Sequence, residues 1–226
     1  MRIRDALSFL SRSKDAAPAG DSGITEGLKA IEKGDYRTAY RRLLPEAEKG
    51  HKICQGLIGK MYEEGNGTTQ DYAEAAKWYQ RAAKQGYPSA QVSLGVLYQK
   101  GRGVILNHQE AMHWYQAAAA QGHAKAMYYI GKLYETGQGV ERNPAEAARW
   151  YLEAAEHGAA AGAYAVAGMC ESGNGVEENL VEAWAWYSVA ANAGVQGAAG
   201  ARDALGPRLS AAQMAQAKLL RDRRIK

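Results

Sequence analysis

From residue 51 to residue 194 the chain repeats one arrangement of apolar and polar positions every 36 residues. Each copy carries an alanine (Ala75, Ala111, Ala147, Ala183) and, three residues on, a tryptophan (Trp78, Trp114, Trp150, Trp186). A tyrosine follows each tryptophan at once (Tyr79, Tyr115, Tyr151, Tyr187), and an alanine pair stands four residues beyond it (Ala82 and Ala83, Ala118 and Ala119, Ala154 and Ala155, Ala190 and Ala191). Spacings of three and four place these residues on one stripe of an amphipathic helix. A shorter stripe precedes it, reading Ala90, Leu94, Leu97 and Tyr98 in the second copy and Ala126, Ile130, Leu133 and Tyr134 in the third. The pattern therefore predicts two helices per copy. Helices of about a dozen residues are marginal in isolation, so their stability has to come from stacking of successive copies. Replacing one of the tryptophans by alanine is expected to cost about 3–5 kcal/mol.

The boundaries of these helices are written in the polar residues. Asp71, Asn107, Asn143 and Asn179 are each followed three residues later by a glutamate (Glu74, Glu110, Glu146, Glu182). This is the signature of a capping box, in which the cap side chain accepts a first-turn N–H and the glutamate reaches back to the cap's own N–H. Pro144 suits the first helical position, where its missing N–H costs nothing. A closing glycine (Gly86, Gly122, Gly158, Gly194) supplies a left-handed residue at each helix end. The G-x-G turns (Gly65 and Gly67, Gly101 and Gly103, Gly137 and Gly139, Gly173 and Gly175) call for positive φ between the paired helices. Gly95 and Gly131, inside the first helices, stand where a side chain would hold neighbouring helices apart.

The run Leu94-Gly95-x-x-Tyr98-x-x-Gly101-x-Gly103-Val104, followed by Asn107, Ala111, Trp114-Tyr115, Ala118-Ala119 and Gly122, resembles the Sel-like repeat, a relative of the tetratricopeptide repeat. The resemblance implies an all-α fold, a right-handed α/α superhelical solenoid of helix-turn-helix repeats with period 36. Full repeats are expected at 51–86, 87–122, 123–158 and 159–194. An opening unit is expected at 23–50, where Asp35, Ala39, Ala47 and Gly50 fall in phase, and a closing half-unit at 195–206, so the solenoid spans 23–206. Thr68 departs from the pattern after the first G-x-G. Ala167 and Cys170 replace the glycine and tyrosine of the fourth unit's first helix, which predicts looser packing or altered curvature there.

A hydrophobic share of 46% with 23% charged residues is ordinary for a folded domain. The 14 tyrosines and 5 tryptophans, against Phe9 alone, follow from the repeat. No apolar run approaches the roughly 18 residues needed to cross a membrane. Cys54 and Cys170 lie in the first helices of the first and fourth repeats, too far apart along a solenoid to be bridged, which favours a reducing, cytoplasmic setting over a periplasmic or membrane-associated one. Residues 1–22 read as a basic segment followed by a linker, "DAAPAGDSG"; the apolar stretch around Leu7, Phe9 and Leu10 is too short for a secretory signal. Ile3, Ala6, Leu7 and Leu10 share a helical face. That face fits either a peripheral membrane or partner contact, or a frayed terminus, with the frayed terminus favoured. Residues 207–226 read as a capping helix with a basic tail, Ser210 as its N-cap and Leu209, Met214 and Leu219 on its apolar side.

Residues 1–14 carry a net charge of +3 and residues 218–226 a net charge of +4, in a chain of +4 overall, so the repeat body is mildly acidic. Basic charge confined to the two ends argues against nucleic acid. The five histidines show no metal-ligand spacing, and the G-x-G turns lack the preceding strand and following lysine of a phosphate loop. Neither a cofactor nor a catalytic set is expected, and the chain reads as a non-enzyme. The tetratricopeptide resemblance implies a concave surface lined by first-helix positions flanking the glycine. Carried over to this sequence they are Lys60, Glu63 and Glu64; Val92, Val96, Gln99 and Lys100; Lys125, Tyr128, Lys132 and Glu135; and Tyr164 and Glu171. Such a mixture suits a protein or peptide partner, with tyrosines as anchors and charges setting orientation. The expected function is an adaptor or scaffold. The alternatives are an inhibitory or regulatory subunit and an envelope-associated structural protein.

Overall fold

Residues 22–225 are described by the computed structural model; the amphipathic N-terminal segment lies outside them, save Ser22. Twelve α-helices follow one another without a strand among these residues. They are α1 (Ser22–Lys33), α2 (Tyr36–Glu48), α3 (Lys52–Glu64), α4 (Tyr72–Lys84), α5 (Pro88–Lys100), α6 (His108–Ala119), α7 (Ala124–Thr136), α8 (Pro144–Glu156), α9 (Ala160–Ser172), α10 (Leu180–Asn192), α11 (Ala198–Leu205) and α12 (Ala211–Arg224), with a short 3₁₀ turn at Gly206–Arg208. The described residues form two compact units, divided between Ala118 and Ala119. The first has a core of Ile31, Leu43, Ile58, Met61, Tyr79 and Leu94 among others; the second is built on Tyr151, Val166, Met169, Trp184, Trp186 and Leu205.

The helix ends form as their sequences require, with one difference. Asp71 accepts from the Ala73 and Glu74 N–H groups, Asn143 from Glu146 N–H and Asn179 from Glu182 N–H. The glutamates do not complete the expected capping box. Each cap's own N–H instead donates to a carbonyl of the preceding helix: Asp71 to Tyr62, Asn107 to Tyr98, Asn143 to Tyr134 and Asn179 to Cys170, at 2.8–3.0 Å. With that donor already satisfied, Glu74 pairs with Lys77, Glu146 with Arg149 and Glu182 with Arg224. Among the described residues a complete capping box forms at Ser210 and Gln213, which opens α12. At the other helix ends the alanine pair supplies the closing carbonyls: Tyr87 N–H donates to Ala82 and Gly86 N–H to Ala83, the two bonds of a Schellman motif.

The two glycines of each G-x-G turn do different work. The first, Gly65, Gly101, Gly137 or Gly173, ends its helix in the left-handed conformation. The second joins one repeat to the one before it. A Cβ on Gly67 would strike the Tyr36 backbone at the start of α2, one on Gly103 the Tyr72 backbone at the start of α4, and one on Gly175 the Pro144 backbone at the start of α8. All three have positive φ, so a side chain there is excluded by conformation as well as by space. Gly139 shares that conformation, at φ 74°. Gly67, Gly103, Gly139 and Gly175 are nevertheless solvent-exposed. Their structural role is therefore one of backbone geometry at the surface and not of core burial.

Packing ranks the aromatic pair differently from the sequence expectation. In the first three full repeats the tyrosine lies deeper than the tryptophan beside it, at most 2% exposed, whereas Trp78 is 7% exposed and Trp114 and Trp150 are half-buried; in the fourth the order reverses, with Trp186 at 3% and Tyr187 at 5%. The reason is the first-helix glycine. Gly59, Gly95 and Gly131 each leave the space that the ring of Tyr79, Tyr115 or Tyr151 fills, with a hypothetical Cβ only 2.6–2.7 Å from it. Basic side chains cover two of the tryptophans, Arg81 over Trp78 at 4.4 Å and Arg149 over Trp150 at 5.0 Å. In the fourth repeat, where Ala167 replaces the glycine, Tyr187 is the most exposed of the four tyrosines.

The C-terminal helix packs on α10 through Ala217, Met214 and Leu220, with Leu209 just ahead of it. Leu219, expected on the apolar side, is 61% exposed. The α-helical period puts Leu220, three residues after the fully buried Ala217, on the packed face in its place.

Candidate functional site

The first helices carry a stripe whose residues fall into two chemical roles. Glu63, Gln99, Glu135 and Glu171 occupy one position, 36 residues apart, and each accepts a hydrogen bond from the buried tyrosine 16 residues later. The pairs are Tyr79 to Glu63 (2.7 Å), Tyr115 to Gln99 (2.8 Å), Tyr151 to Glu135 (2.7 Å) and Tyr187 to Glu171 (2.9 Å). A buried hydroxyl without a partner costs the full desolvation of that group, so the acceptor is part of what allows a tyrosine in this core. Burial, reinforced by the facing carboxylate, holds the Tyr79, Tyr151 and Tyr187 hydroxyls well above the ordinary tyrosine range. Burial pushes the Glu63 carboxyl upward, but the hydrogen bonds from Tyr79 and Lys60 and the Lys60 charge outweigh it, and the net shift is downward. The opening unit dispenses with both partners. Leu43 sits over Gly27 where a tyrosine would sit, and Ile31 stands four residues after Gly27, as Glu63 does after Gly59.

The remaining stripe residues differ in what they present. In the first unit Lys60 bridges Glu63 and Glu64 at 2.9 and 3.1 Å, Val92 is buried, Val96 is half-buried and Lys100 is exposed. Burial removes Val92 from any surface a partner could touch. In the second unit Lys125 lies over the Tyr129 ring at 5.7 Å, and Lys132 is exposed. Tyr128 packs its ring 5.5 Å from that of Tyr151, and Tyr164 lies 5.4 Å from Tyr187. Tyr128 is half-buried and Tyr164 is 37% exposed, one repeat apart at the same helical position.

Arg208 was not legible as part of this stripe. It reaches Glu171 at 3.4 Å and Glu178 at 3.5 Å, across a sequence separation that no local spacing rule spans. Two further C-terminal arginines return to the last repeat: Arg224 lies 3.9 Å over Trp186 and pairs with Glu182 at 2.7 Å, and Arg221 lies over Trp184 at 5.8 Å. Among the described residues no three His, Cys, Asp or Glu side chains are grouped to hold a metal ion, and no helix is long and apolar enough to cross a membrane.

The Sel1 repeat profile matches residues 53–87, 88–123, 124–158 and 160–195. A Sel1 repeat protein from Oxalobacter formigenes is 35% identical over 78% of this chain and 70% of its own, with a TM-score of 0.71. The protective antigen c5321 of uropathogenic Escherichia coli, which displays an SLR fold, is 26% identical over 90% of this chain and 52% of its own, with a TM-score of 0.57. The immunity protein Pa5087 from Pseudomonas aeruginosa, 22% identical over 81% of this chain and 69% of its own with a TM-score of 0.54, shares the fold. No curated protein matches the chain.

Proposed function

Because the chain belongs to the Sel1 repeat family of all-α repeat solenoids, whose members are in general protein-interaction scaffolds, we propose that it is a non-catalytic adaptor binding a protein or peptide along its first-helix stripe. The observation that carries this reading is the tyrosine pair of the second unit. Tyr128 and Tyr164 occupy equivalent positions in successive repeats, each resting on a buried tyrosine. A ring ordered in this way loses little further entropy on binding, which is why tyrosine is favoured as an interface anchor. Lys125 and Lys132, both exposed on α7, supply charge beside the anchors and would set a partner's orientation. In the first unit the same reading leaves Val96 and Lys100 as contact residues. Glu63, Gln99, Glu135 and Glu171 then serve the tyrosine cores first and the surface second. The solenoid of this reading runs over residues 23–206, with residues 207–226 as its closing cap.

The test is capture of partners from the source cell with quantitative mass spectrometry, run beside a Tyr128→Ala/Tyr164→Ala variant. The variant is expected to lose its principal partner, with affinity reduced at least about thirtyfold, the size of one interface hot spot. Retention of the same partners at the same affinity would remove the stripe from consideration. An adaptor holds two proteins at once, whereas a one-to-one complex that abolishes its partner's activity would mark an inhibitor.

A further inference from the structure

The turn between α5 and α6 breaks the repeat in a way the stripe does not use. Its seven residues, 101–107, present Ile105 at 89% exposure and Leu106 at 55%, an adjacent apolar pair on the surface of the first unit. The equivalent positions of the other turns are polar: Thr69 and Gln70, Glu141 and Arg142, Glu177 and Glu178. Charge differs as well: this turn alone of the four G-x-G turns has a net positive charge. Residues 100–108 contain Lys100 and Arg102 and no acid, whereas 64–72 contain Glu64 and Asp71, 136–144 contain Glu141 and Arg142, and 172–180 contain Glu177 and Glu178.

This turn is fixed in place. Arg102 N–H donates to Leu97 O at 3.1 Å and Asn107 N–H to Tyr98 O at 3.0 Å, Gly103 lies against the Tyr72 backbone, and Val104 packs on the core. The Arg102 guanidinium rests 5.5 Å over the Tyr72 ring. The fold thus needs Val104 and the glycines of this turn, but it does not bury Ile105 and Leu106. A rigid platform that holds two aliphatic side chains in water on the same turn as the Arg102 cation favours a ligand that covers the first and neutralises the second.

We infer that the 101–107 turn is a second docking surface, distinct from the first-helix stripe, for a partner-protein segment in which apolar side chains stand next to carboxylates. Charge complementarity selects this occupant. Asp71 and Glu74, on either side of the Tyr72 that Arg102 covers, are already engaged: Asp71 caps α4 and Glu74 pairs with Lys77.

The test uses the full chain as bait for a displayed library of random 12-residue peptides, with enriched peptides remeasured by fluorescence anisotropy. Enriched sequences should place an aliphatic or aromatic residue within two positions of Asp or Glu. Ile105→Ser/Leu106→Ser should weaken their binding at least about tenfold, and Arg102→Glu should weaken it while flattening its dependence on salt. Glu141→Ser/Arg142→Ser, the equivalent change in another turn, should leave it unaltered, as should Tyr128→Ala/Tyr164→Ala, so failure here and failure of the stripe are separable. The single change Ile105→Ser, at the most exposed position, guards against a folding defect, and its melting curve should match the parent. Enrichment without acidic bias, no enrichment, or equal binding to the double-serine variant overturns the inference. So does cosedimentation with phosphatidylserine vesicles that is lost in the double-serine variant, which would assign the turn to a membrane surface.

Discussion

At the residue scale the recurring event is a tyrosine hydroxyl buried against a first-helix acceptor. Tyr151→Phe removes one hydroxyl and leaves the Glu135 carboxylate half-buried without its donor, so it should destabilise by about 1–3 kcal/mol in urea titration. The opening unit shows how to relieve this, with leucine and isoleucine at the two positions. Tyr151→Leu alone should therefore lose more than Tyr151→Leu combined with Glu135→Ile, and a double-mutant cycle read from denaturation midpoints would expose the coupling. The same scale holds a pH dependence. Burial, aided by Lys125, depresses the His123 imidazole below its ordinary value of 6.5. A group held neutral in the native state contributes stability above its unfolded pKa and loses it as pH falls below that value. Glu63, also depressed, acts in the same direction below its ordinary 4.5. The urea midpoint should thus begin to fall as pH drops below about 6.5, and His123→Asn should flatten the first part of that decline while leaving the part below the ordinary glutamate range.

At the element scale the turn glycines divide into two kinds that the sequence writes with the same letter. Gly158 has positive φ with open space around it, whereas Gly103 has positive φ and lies against the Tyr72 backbone. Gly158→Ala should cost only the left-handed backbone penalty, about 1–2 kcal/mol. Gly103→Ala should cost more, because a Cβ there also separates two repeats. Thermal melts of the two variants, measured side by side, test the ordering. Equal losses would show that conformation alone requires these glycines.

At the scale of the whole molecule, stability in a repeat chain is a sum of local units and their neighbour contacts. Removing residues 210–226 would uncover Trp184 and Trp186, and would leave Glu182 without Arg224. Hydrogen exchange should then show lost protection in α10 and unchanged protection in α2, α3 and α4. Loss spread evenly over the chain would mean that folding is cooperative beyond one unit.

The sequence by itself determined the helix pairs, their caps and glycine stops, the repeat period and the family, because these rest on local spacing and on a pattern written four times. It also contained the tyrosine acceptors, since Glu63, Gln99, Glu135 and Glu171 recur at the same period as the tyrosines, but periodicity does not say which recurring residues touch. Only the tertiary structure decided that the tyrosines of the first three full repeats lie deeper than their tryptophans, that the glutamates leave the capping boxes for Lys77, Arg149 and Arg224, and that Val92 is buried while Ile105 is exposed. Each of these outcomes depends on what a neighbouring helix offers: space above a glycine, a carbonyl that reaches the cap first, or no neighbour at all. Those are properties of packing between segments that no local rule connects.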